Sequence, residues 1–522
     1  MALLLAYDPN HSRFQPAGDI LIGMRTILPA LLVVTATQFA HGALPKVLFS
    51  GIQTSATSDV PGYPGVKFNL LTRIYASPNG NHYVSISTNV GSGSPRVITT
   101  GDMLVPNSLT VRVRETEPWI FGGPYTTSNI RSVAGINDSG NFGCVLSSSE
   151  PTSANEYSVK RVSGVFGSVA KEGDIAPLTG AAYPGGLAAP QLLDDNSMAW
   201  GSGTNNTGVD AALFTESVLL ARRAITIPNG QLSGTPVPIM RFETDKFRIG
   251  SVDSSFMYQA LVGNGTVTAS GSSIVAVDNE VKAQVGYAIP GSTNTETVTS
   301  FGATANGGSS ISARNRYFTF SGALNGGQDF VYQGKVGGTP KFVFEGDPIT
   351  PGNSELWGAT TTTFSGVAIN SYGETVICGL TNNPDTTKNY VVVLNNGYTS
   401  KVMYRRFDPI DLDSNGIADD DLFFQSISSD NLMFCDNNRL FLGAQLRTTA
   451  GTLSGTILAH IWLDLPITGD VDGSGEVDAA DIDMVIAAFG SMTPDIPEDV
   501  DGSGEVDAVD IDIVISNFGR TR

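Results

Sequence analysis

Apolar and polar positions follow one repeating pattern along most of the chain. An apolar run is followed by a tight turn of Asn, Asp, Ser and Gly and then by another apolar run, as in VAGINDSGNFGCVL (133–146) and GVAINSYGETVICGL (366–380). Apolar runs separated in this way by turn residues predict short β-strands. The pattern recurs seven times between residues 44 and 465, with turn centres at Gly80, Gly140, Asn196, Ser254, Asn315, Gly373 and Asn438.

The spacing of these turns narrows the choice of all-β architecture. Successive centres are 56 to 65 residues apart, and a period of this size is typical of radial arrays in which each small sheet packs against its neighbours. We therefore predict a seven-bladed β-propeller over 44–465. The alternatives are a string of β-sandwiches, for which this period is short, and a β-solenoid. The repeats and the EGD turns at 172–174 and 345–347 resemble those of secreted bacterial repeat proteins, and this resemblance implies no activity.

The last part of the chain, 466–522, follows a different pattern. DVDGSGEVDAAD (470–481, loop 1) returns 29 residues later as DVDGSGEVDAVD (499–510, loop 2). Oxygen-bearing side chains at positions 1, 3, 5, 9 and 12, with glycine at position 6, are the layout of a calcium loop, here closed by Asp instead of Glu. The predicted ligands are Asp470, Asp472, Ser474, Asp478, Asp481 and the carbonyl of Glu476, then Asp499, Asp501, Ser503, Asp507, Asp510 and the carbonyl of Glu505.

One amphipathic helix is predicted after each of these loops. Apolar residues at helical spacing form a single stripe in each copy, and a glycine at 490 or 519 ends it. We expect the two stripes to pack face to face as a pseudo-twofold pair, and calcium to supply much of the folding free energy because the clustered carboxylates repel one another without it. The stripes are Ile482, Val485, Ile486 and Phe489, then Ile511, Val514, Ile515 and Phe518.

A third acidic loop, DLDSNGIADDD (411–421, the propeller loop), interrupts the last repeat. Gly416 allows a sharp turn, and Leu422 leaves the twelfth position without a carboxylate. The loop resembles the calcium loops between propeller strands in integrin-type repeats and those of thrombospondin-like repeats; the alternative is an acidic turn without metal. The predicted ligands of this further calcium ion are Asp411, Asp413, Asn415, Asp419 and the carbonyl of Ile417.

Charge is distributed unevenly along the chain. The 522 residues carry a formal net charge of −20, and the segment from Pro466 onward contains 14 acidic and 2 basic residues. This argues against nucleic-acid binding, which needs a basic surface, and indicates cations in the tail. The three cysteines lie far apart in apolar runs, so we expect buried thiols and neither a disulfide scaffold nor a cysteine zinc site.

The amino-terminal residues predict export. After Met24, the expected start, come Arg25, an apolar stretch over 27–36 and a small-residue cleavage site at 40–42, which is the layout of a signal peptide. Residues 1–42 are thus interpreted as an extension and signal peptide, and the protein as secreted or extracellular, with cell-surface attachment as one form of this. The apolar stretch is short for a membrane span, so no transmembrane segment is predicted.

The duplicated loop–helix motifs resemble a type I dockerin domain. The match rests on residues 470–519, which lack entering helices, close each loop on Asp and follow a secreted domain. The resemblance implies a cohesin-type partner on a scaffold or surface protein, often in polysaccharide breakdown. Loop positions 10 and 11, which face the cohesin in this family, are Ala479, Ala480, Ala508 and Val509 here. Family members often have hydroxyl pairs there and Asp at position 5, so the resemblance does not fix which cohesin is bound.

No catalytic residue is predicted. Only His82 and His460 follow the signal peptide, and no G-x-S-x-G or H-E-x-x-H motif is present. The favoured function is a secreted calcium-binding protein that a cohesin attaches, with a propeller that binds glycan or protein. The alternatives are a dockerin-borne polysaccharide hydrolase or lyase and a structural surface protein. Exposed tryptophans would indicate sugar stacking, but core packing is expected for Trp119, Trp200, Trp357 and Trp462.

Overall fold

The computed structural model describes residues 44–522. Within this range it leaves out 90–94, 152–154, 177–178, 180–181, 184–185, 203–210, 244–245, 264–272, 303–307, 359–362, 452–458 and 494–495. The predicted extension and signal peptide, residues 1–42, lie outside the described residues. No helix in the described part of the chain has the length and apolar character needed to cross a membrane.

The strands form seven antiparallel sheets, which we call blades 1 to 7. Blade 1 contains β2 (Phe68–Ala76), β3 (His82–Asn89), β4 (Arg96–Asp102) and β5 (Thr110–Arg114). Blade 2 contains β6 (Thr127–Ile136), β7 (Phe142–Ser148), β8 (Glu156–Val162) and β9 (Val165–Lys171). Blade 3 contains β10 (Ala188–Leu192), β11 (Met198–Ser202), β12 (Ala212–Thr215) and β13 (Leu219–Arg222).

The remaining blades repeat this meander, and in blades 4 and 5 the first strand is split in two. Blade 4 contains β14 (Ile239–Phe242), β15 (Arg248–Ile249), β16 (Phe256–Val262), β17 (Ser273–Val277) and β18 (Glu280–Gln284). Blade 5 contains β19 (Val298–Phe301), β20 (Ser309–Ile311), β21 (Tyr317–Leu324), β22 (Asp329–Lys335) and β23 (Lys341–Phe344). Blade 6 contains β24 (Phe364–Ile369), β25 (Thr375–Leu380), β26 (Tyr390–Asn395) and β27 (Ser400–Arg405).

Blade 7 closes the ring with strands from both ends of the propeller. It contains β28 (Phe423–Phe434), β29 (Arg439–Arg447), β30 (Ala459–Asp464) and the amino-terminal β1 (Lys46–Ser50), in the order β1-β30-β29-β28. The first strands of successive blades pack against one another, and β28 packs against β2. The chain therefore forms the predicted seven-bladed propeller. Phe49 of β1 is fully buried and packs on Phe68 of blade 1, which helps to seal the junction.

All seven predicted turn centres lie between the first and second strand of their blade. Each has a positive φ, from +55° at Ser254 to +84° at Gly373, which explains why Gly and Asn dominate these positions. The turns also join the blades, because each is hydrogen-bonded to the turn of the next blade. Around the ring, the bonds run from Asn79 N–H to Asp138 Oδ1, Asn137 Nδ2 to Leu193 O, Asp194 N–H to Ser251 O, Val252 N–H to Ala313 O, Arg314 N–H to Ser371 Oγ, Ser371 N–H to Asp436 Oδ1 and Asp436 N–H to Pro78 O.

The hydrophobic cores lie between neighbouring blades. One combines β3 and β4 with β6 and β7, and another combines blades 6 and 7 around Phe424. Trp119, Trp200 and Trp357 are buried, as expected for core packing, and the ring of Trp462 is covered by Lys46 and Arg439. The three cysteines are free and buried, as the sequence predicts.

Two short helices follow the propeller. They are α1 (Ala479–Ala488) and α2 (Ala508–Asn517), and each begins at the tenth position of one of the tail loops. Asp478 and Asp507 are the N-cap residues, and the closing carboxylates, Asp481 and Asp510, complete a capping box three residues later. The carboxylate that closes each loop therefore also helps to cap the N-terminus of the helix.

Candidate calcium loops and partner-binding face

The carboxylates of loop 1 converge on one point. One oxygen from each of Asp470, Asp472 and Asp481 lies within 4.8 Å of the others. The buried Asp481 is held by three backbone N–H groups, because its Oδ1 accepts from Val471 and Asp472 and its Oδ2 from Asp478, at 2.7, 3.1 and 2.8 Å. The closing carboxylate is thus positioned by the loop that it closes.

Loop 2 repeats this arrangement with nearly the same distances. Asp499, Asp501 and Asp510 converge within 4.8 Å, and Asp510 accepts hydrogen bonds from Val500, Asp501 and Asp507 at 2.7, 3.0 and 2.8 Å. The glycine at position 6 donates to the first carboxylate in both loops, from Gly475 and from Gly504, at 3.0 and 2.9 Å. The two loops are therefore copies in geometry as well as in sequence.

These loops suit a hard cation. Burial and the nearby carboxylates of Asp481 and Asp472 raise the pKa of Asp470 above its ordinary value, and burial, Asp510 and Asp501 do the same for Asp499. Asp470 Oδ1 is buried without a hydrogen-bond partner in the described part of the chain. Clustered carboxylates with spare acceptor capacity are the ligands that calcium prefers.

The other predicted ligands of the tail lie around these groups. Ser474 and Ser503 point their hydroxyls at the carbonyls of Glu476 and Glu505, at 3.1 and 3.0 Å. Asp478 and Asp507 at position 9 accept hydrogen bonds from the first turn of the helices and are not among the converging carboxylates. Position 9 of such loops often reaches calcium through a water molecule.

The two halves are tied together by a reciprocal backbone pairing. The segment after α2 pairs with loop 1, with Val477 N–H donating to the carbonyl of Arg520 at 2.9 Å and Gly519 N–H donating to that of Val477 at 2.8 Å. The segment after α1 pairs with Val506 of loop 2 through Gly490 and Ser491 in the same way, again at 2.8 and 2.9 Å. Each loop is therefore hydrogen-bonded to the segment that follows the helix of the other half.

The predicted apolar stripes are only half buried. Val485 and Val514 lie in the shared core with Ile482 and Ile511, but the second part of each stripe faces solvent. Ile486 and Phe489 are 54% and 57% exposed, and their counterparts Ile515 and Phe518 are 53% and 56% exposed. The expectation that the full stripes pack face to face is therefore wrong for these four residues. The loops, rather than the helix ends, fill the centre of the tail.

The predicted partner-binding residues are exposed beside these side chains. Ala479 and Ala480 begin α1, Ala508 and Val509 begin α2, and all four are exposed. Each helix therefore presents two large apolar side chains at its end, and at its start α1 presents two alanines where α2 presents Ala508 and the larger Val509. The exposed residues correspond between the two halves at a separation of 29 positions.

The propeller loop shares the local geometry of the tail loops, with one change. Gly416 N–H donates to Asp411 Oδ2 at 2.9 Å and Asn415 N–H to Asp413 Oδ1 at 3.0 Å, as in loop 1. The closing carboxylate that converges with Asp411 and Asp413 is Asp420, which accepts from Leu412 N–H at 2.7 Å, and the predicted ligand Asp419 is not in this group. The predicted roles of Asn415 and of the Ile417 carbonyl stay predictions.

A contact between the tail and the propeller could not be predicted from the sequence. Arg520 forms a salt bridge of 2.7 Å with Glu374, the residue directly before β25, and the two side chains are 4% and 2% exposed. Arg520 also donates to Asn438 Oδ1, and Thr468 donates to Glu374. Both propeller partners lie in first-to-second strand turns or directly after them, so the tail is seated on that face of blades 6 and 7.

Groups of three or more titratable ligands that could hold a metal occur, in the described part of the chain, at the three acidic loops. His460 is buried with its Nδ1 3.3 Å from Ser85 Oγ, and burial lowers its pKa to about 3. The EGD segments are turns, with φ of +87° at Gly173 and +94° at Gly346.

The fold and these loops define a β-propeller protein that ends in a duplicated calcium-loop module. The sequence profile of the dockerin type I domain matches residues 468–519, so this module is a dockerin type I domain, as the residues predicted. Such a domain implies calcium and a cohesin partner. Proteins with dockerin domains are typically extracellular or attached to the cell surface. No protein with a curated description matches the sequence.

Solved structures resemble the chain at the level of the propeller. The β-propeller domain of the Trilobed protease from Pyrococcus furiosus has 7% identity and a TM-score of 0.38, with 76% of this chain and 94% of that chain covered. Prolyl oligopeptidase B from Galerina marginata has 11% identity and a TM-score of 0.36, with 74% and 47% covered. Acylaminoacyl peptidase from Pyrococcus horikoshii has 12% identity and a TM-score of 0.34, with 66% and 49% covered. These low scores support no statement about activity.

Proposed function

We propose that this protein is a secreted propeller that a cohesin-type module captures through its calcium-loaded dockerin domain. The observation that carries the proposal is the duplication of one geometry, in which the same three carboxylates converge within 4.8 Å in both tail loops and each closing Asp caps a helix. Calcium held there fixes the start of both helices and thereby the face that the partner meets.

The partner-binding face consists of the exposed residues of the two helices. Ala479 and Ala480 with Ile486 and Phe489 form one copy, and α2 supplies the other. Small residues let a partner approach the helix start closely, and large apolar residues at the helix end supply buried area on binding. Because both copies are exposed to a similar degree, either one offers a cohesin a similar surface, with Val509 in place of Ala480.

The propeller is the module that this attachment displays, and its ligand is a glycan or a protein. The dockerin is seated on the face of the first-to-second strand turns, and among the described residues its contacts lie on that face of the blades. On the opposite face a cleft of about 690 Å³ lies between blades 5 and 6, lined by Gln328, Glu345, Asn382, Asn383 and Asn389. Amide and carboxylate side chains of this kind suit the hydroxyl groups of a sugar.

A third calcium ion belongs to the propeller loop in this proposal. Asp411 is fully buried, and its two oxygens receive the N–H groups of Asn415 and Gly416. Asp413, Asp420 and the predicted ligands Asn415, Ile417 and Asp419 complete the candidate donor set. The repeated pattern of hydrogen bonds in loop 1, loop 2 and this loop supports the assignment.

The test uses the full chain and a matched calcium-loop variant. The chain and its Asp470→Ala/Asp499→Ala variant are immobilised and exposed to secreted proteins of the host in calcium. We expect the parent chain to retain a protein that mass spectrometry identifies by a cohesin module, that EDTA releases, and that the variant does not retain. A retained protein without a cohesin module, or binding that EDTA does not affect, would contradict the proposal.

A panel of polysaccharides separates the favoured role of the propeller from its alternatives. Binding without release of sugars supports a ligand-binding propeller, and release of oligosaccharides or uronates identifies a hydrolase or lyase. Neither binding nor release, together with no protein ligand, indicates a structural surface protein. Substitution of Asn382 and Asn383 by Ala should weaken binding if the ligand occupies the cleft.

A further inference from the structure

The side chain of Arg520 joins the dockerin to the propeller at a buried point. Its Nη2 lies 2.7 Å from Glu374 Oε2 and 2.8 Å from Asn438 Oδ1, and its guanidinium lies over the ring of Tyr372, 3.7 Å from the ring centre. Both members of the ion pair are almost fully buried. A buried pair with several hydrogen bonds fixes one geometry, because leaving either charge unpaired is costly.

The backbone of the same segment belongs to loop 1. Val477 N–H donates to the carbonyl of Arg520, Arg522 N–H donates to that of Gly475 at 3.0 Å, and Thr521 forms a bridge with Glu476. Residues 475–477 are positions 6 to 8 of loop 1 and include the carbonyl predicted to bind calcium. The segment that carries the Arg520 side chain therefore rests directly on a calcium loop.

The other half of the dockerin provides an internal comparison. Ser491 occupies the position 29 residues before Arg520 and pairs in the same way with Val506 of loop 2. Its hydroxyl contacts Thr493 within the dockerin and, among the described residues, no propeller group. Loop 2 touches the propeller where Gly502 lies against Thr399. Arg520 thus links loop 1 to the propeller through a charged, hydrogen-bonded contact. In the described part of the chain, loop 2 has no charged contact of this kind.

We propose that Arg520 is a latch, in which its ion pair with Glu374 and calcium in loop 1 stabilise each other. Calcium fixes residues 475–477, these residues hold the backbone of 520–522, and the Arg520 side chain then meets Glu374. Without calcium the carboxylates of loop 1 repel one another, and residues 475–477 no longer hold the backbone of 520–522 in place. The latch rests on the proposed function in so far as loop 1 binds calcium.

Reciprocity makes the latch measurable as a change in calcium affinity. If calcium strengthens the ion pair, the ion pair must strengthen calcium binding by the same factor, and such couplings typically amount to about 5-fold or more. The effect should appear in loop 1 and be absent from loop 2. As a result, the propeller would hold the dockerin in one orientation when calcium is bound and release it when calcium is removed.

The first experiment measures calcium binding by calorimetry on the full chain with one tail loop disabled. In the Asp499→Ala background, which keeps loop 1, Glu374→Gln should weaken calcium binding about 5-fold or more. In the Asp470→Ala background, which keeps loop 2, Glu374→Gln should change nothing. Ser491→Ala is the matched control at the equivalent position and should have no effect in either background.

Two further variants guard against a general folding defect. Glu374→Leu/Arg520→Met removes both charges and leaves none unpaired, and Tyr372→Ala removes only the half-exposed ring beside the guanidinium. Both should weaken calcium binding at loop 1 while the unfolding temperature of the propeller changes little. The double variant should lose as much affinity as Glu374→Gln.

The second experiment follows the orientation of the dockerin. Spin labels are attached to cysteines introduced at the exposed positions Thr386 and Ser516, while the three native cysteines are buried and should not react. The distance between the labels should have a narrow distribution in calcium and a broad one in EDTA or in the Glu374→Gln variant. Equal loop 1 affinity in the parent chain and all latch variants would overturn the latch and leave calcium binding intact. A chain that binds no calcium in the tail would overturn both proposals.

Discussion

The backbone carbonyl of Asp411 accepts a hydrogen bond from Val47 N–H at 3.3 Å. In return, Asp411 N–H donates to the carbonyl of Pro45 at 3.1 Å. The backbone of Asp411, the first residue of the propeller loop, is therefore bonded to β1, the strand that closes the ring, and to the residue before it. A cation bound by this loop would stabilise the closure as well as the loop.

Removal of this cation should weaken the propeller. Calcium at about 100 times its dissociation constant adds roughly 2.7 kcal/mol to the free energy of unfolding for one site, and Asp411→Asn or Asp420→Asn should lose this gain. Calorimetry should then show two bound ions instead of three, and thermal unfolding of the propeller should occur at a lower temperature. Asp419→Asn is the matched control and should keep three bound ions. If Asp419→Asn lost a calcium ion and Asp420→Asn did not, Asp419 would be the ligand, as predicted from the sequence.

Helix formation in the dockerin should depend on calcium. Asp481 and Asp510 are both converging carboxylates and capping-box residues, so a loop without calcium leaves a charged cluster at the start of each helix. We expect EDTA to reduce the helical circular dichroism signal near 222 nm, and Asp470→Ala to remove about half of the calcium-dependent gain. The Ser516→Ala variant, on the exposed side of α2, is the control. Equal helical signal with and without calcium would contradict this prediction.

The two helix faces should substitute for each other in partner binding. The Ile486→Ser/Phe489→Ser variant removes the apolar contact of α1, and the Ile515→Ser/Phe518→Ser variant removes that of α2. Either double variant alone should lower the affinity for the captured cohesin only about twofold, because one of two similar faces remains. All four changes together should lower it about 30-fold or more, the loss expected for a central apolar contact worth about 2 kcal/mol.

Surface plasmon resonance with calcium present measures these affinities. Val105→Ser is the control, because Val105 is an exposed apolar residue of blade 1 at 52% exposure, similar to the helix residues. Complete loss of binding on changing one copy alone would show that the partner uses a single orientation.

Acid should weaken the contact between Arg520 and Glu374. Burial alone would raise the pKa of Glu374, but the Arg520 guanidinium and hydrogen bonds from Arg520, Thr468 and Asn370 more than offset it, so the pKa lies below the ordinary value of 4.5. A carboxyl group of this kind contributes stability above its unfolded pKa and loses it as the pH falls through its folded pKa. The contribution should be complete at pH 7 and decline below about pH 4.5.

Thermal unfolding of the parent chain and Glu374→Gln between pH 7 and pH 3 tests this sign. At pH 7 the variant should be less stable by about 3–5 kcal/mol, the usual cost of an unpaired buried charge, and the difference should shrink in acid. The difference between the two chains is the quantity to compare, because burial raises the pKa of the nearby Asp436 and gives it the opposite pH dependence. A difference that grows in acid would exclude this role for the ion pair.

Local patterns in the sequence predicted the architecture because the fold repeats. Each blade places a left-handed residue at the same turn, so Gly140 and Asn315 mark the same point of the structure and their spacing gives the blade length. The tail loops were equally readable, since every second position of Asp470 to Ser474 carries an oxygen. Both signals arise from backbone geometry within a dozen residues.

Contacts between distant segments could not be read in this way. β1 pairs with β30 across most of the chain, and no local pattern connects Lys46 with Trp462. Arg520 appeared as one of two basic residues in an acidic tail, and only the fold brings it to Glu374. The choice between Asp419 and Asp420 depends on one turn, and the exposed ends of the stripes depend on how the two halves meet.

The position of β30 has a mechanical consequence for a tethered protein. The dockerin follows β30 directly, and β30 lies between β1 and β29 with hydrogen bonds to both. Tension applied to the dockerin would therefore reach a strand that is hydrogen-bonded on both sides, so that two ladders resist it, instead of an edge strand bonded on one side. The closure that joins the two ends of the propeller also serves as its anchor against pulling.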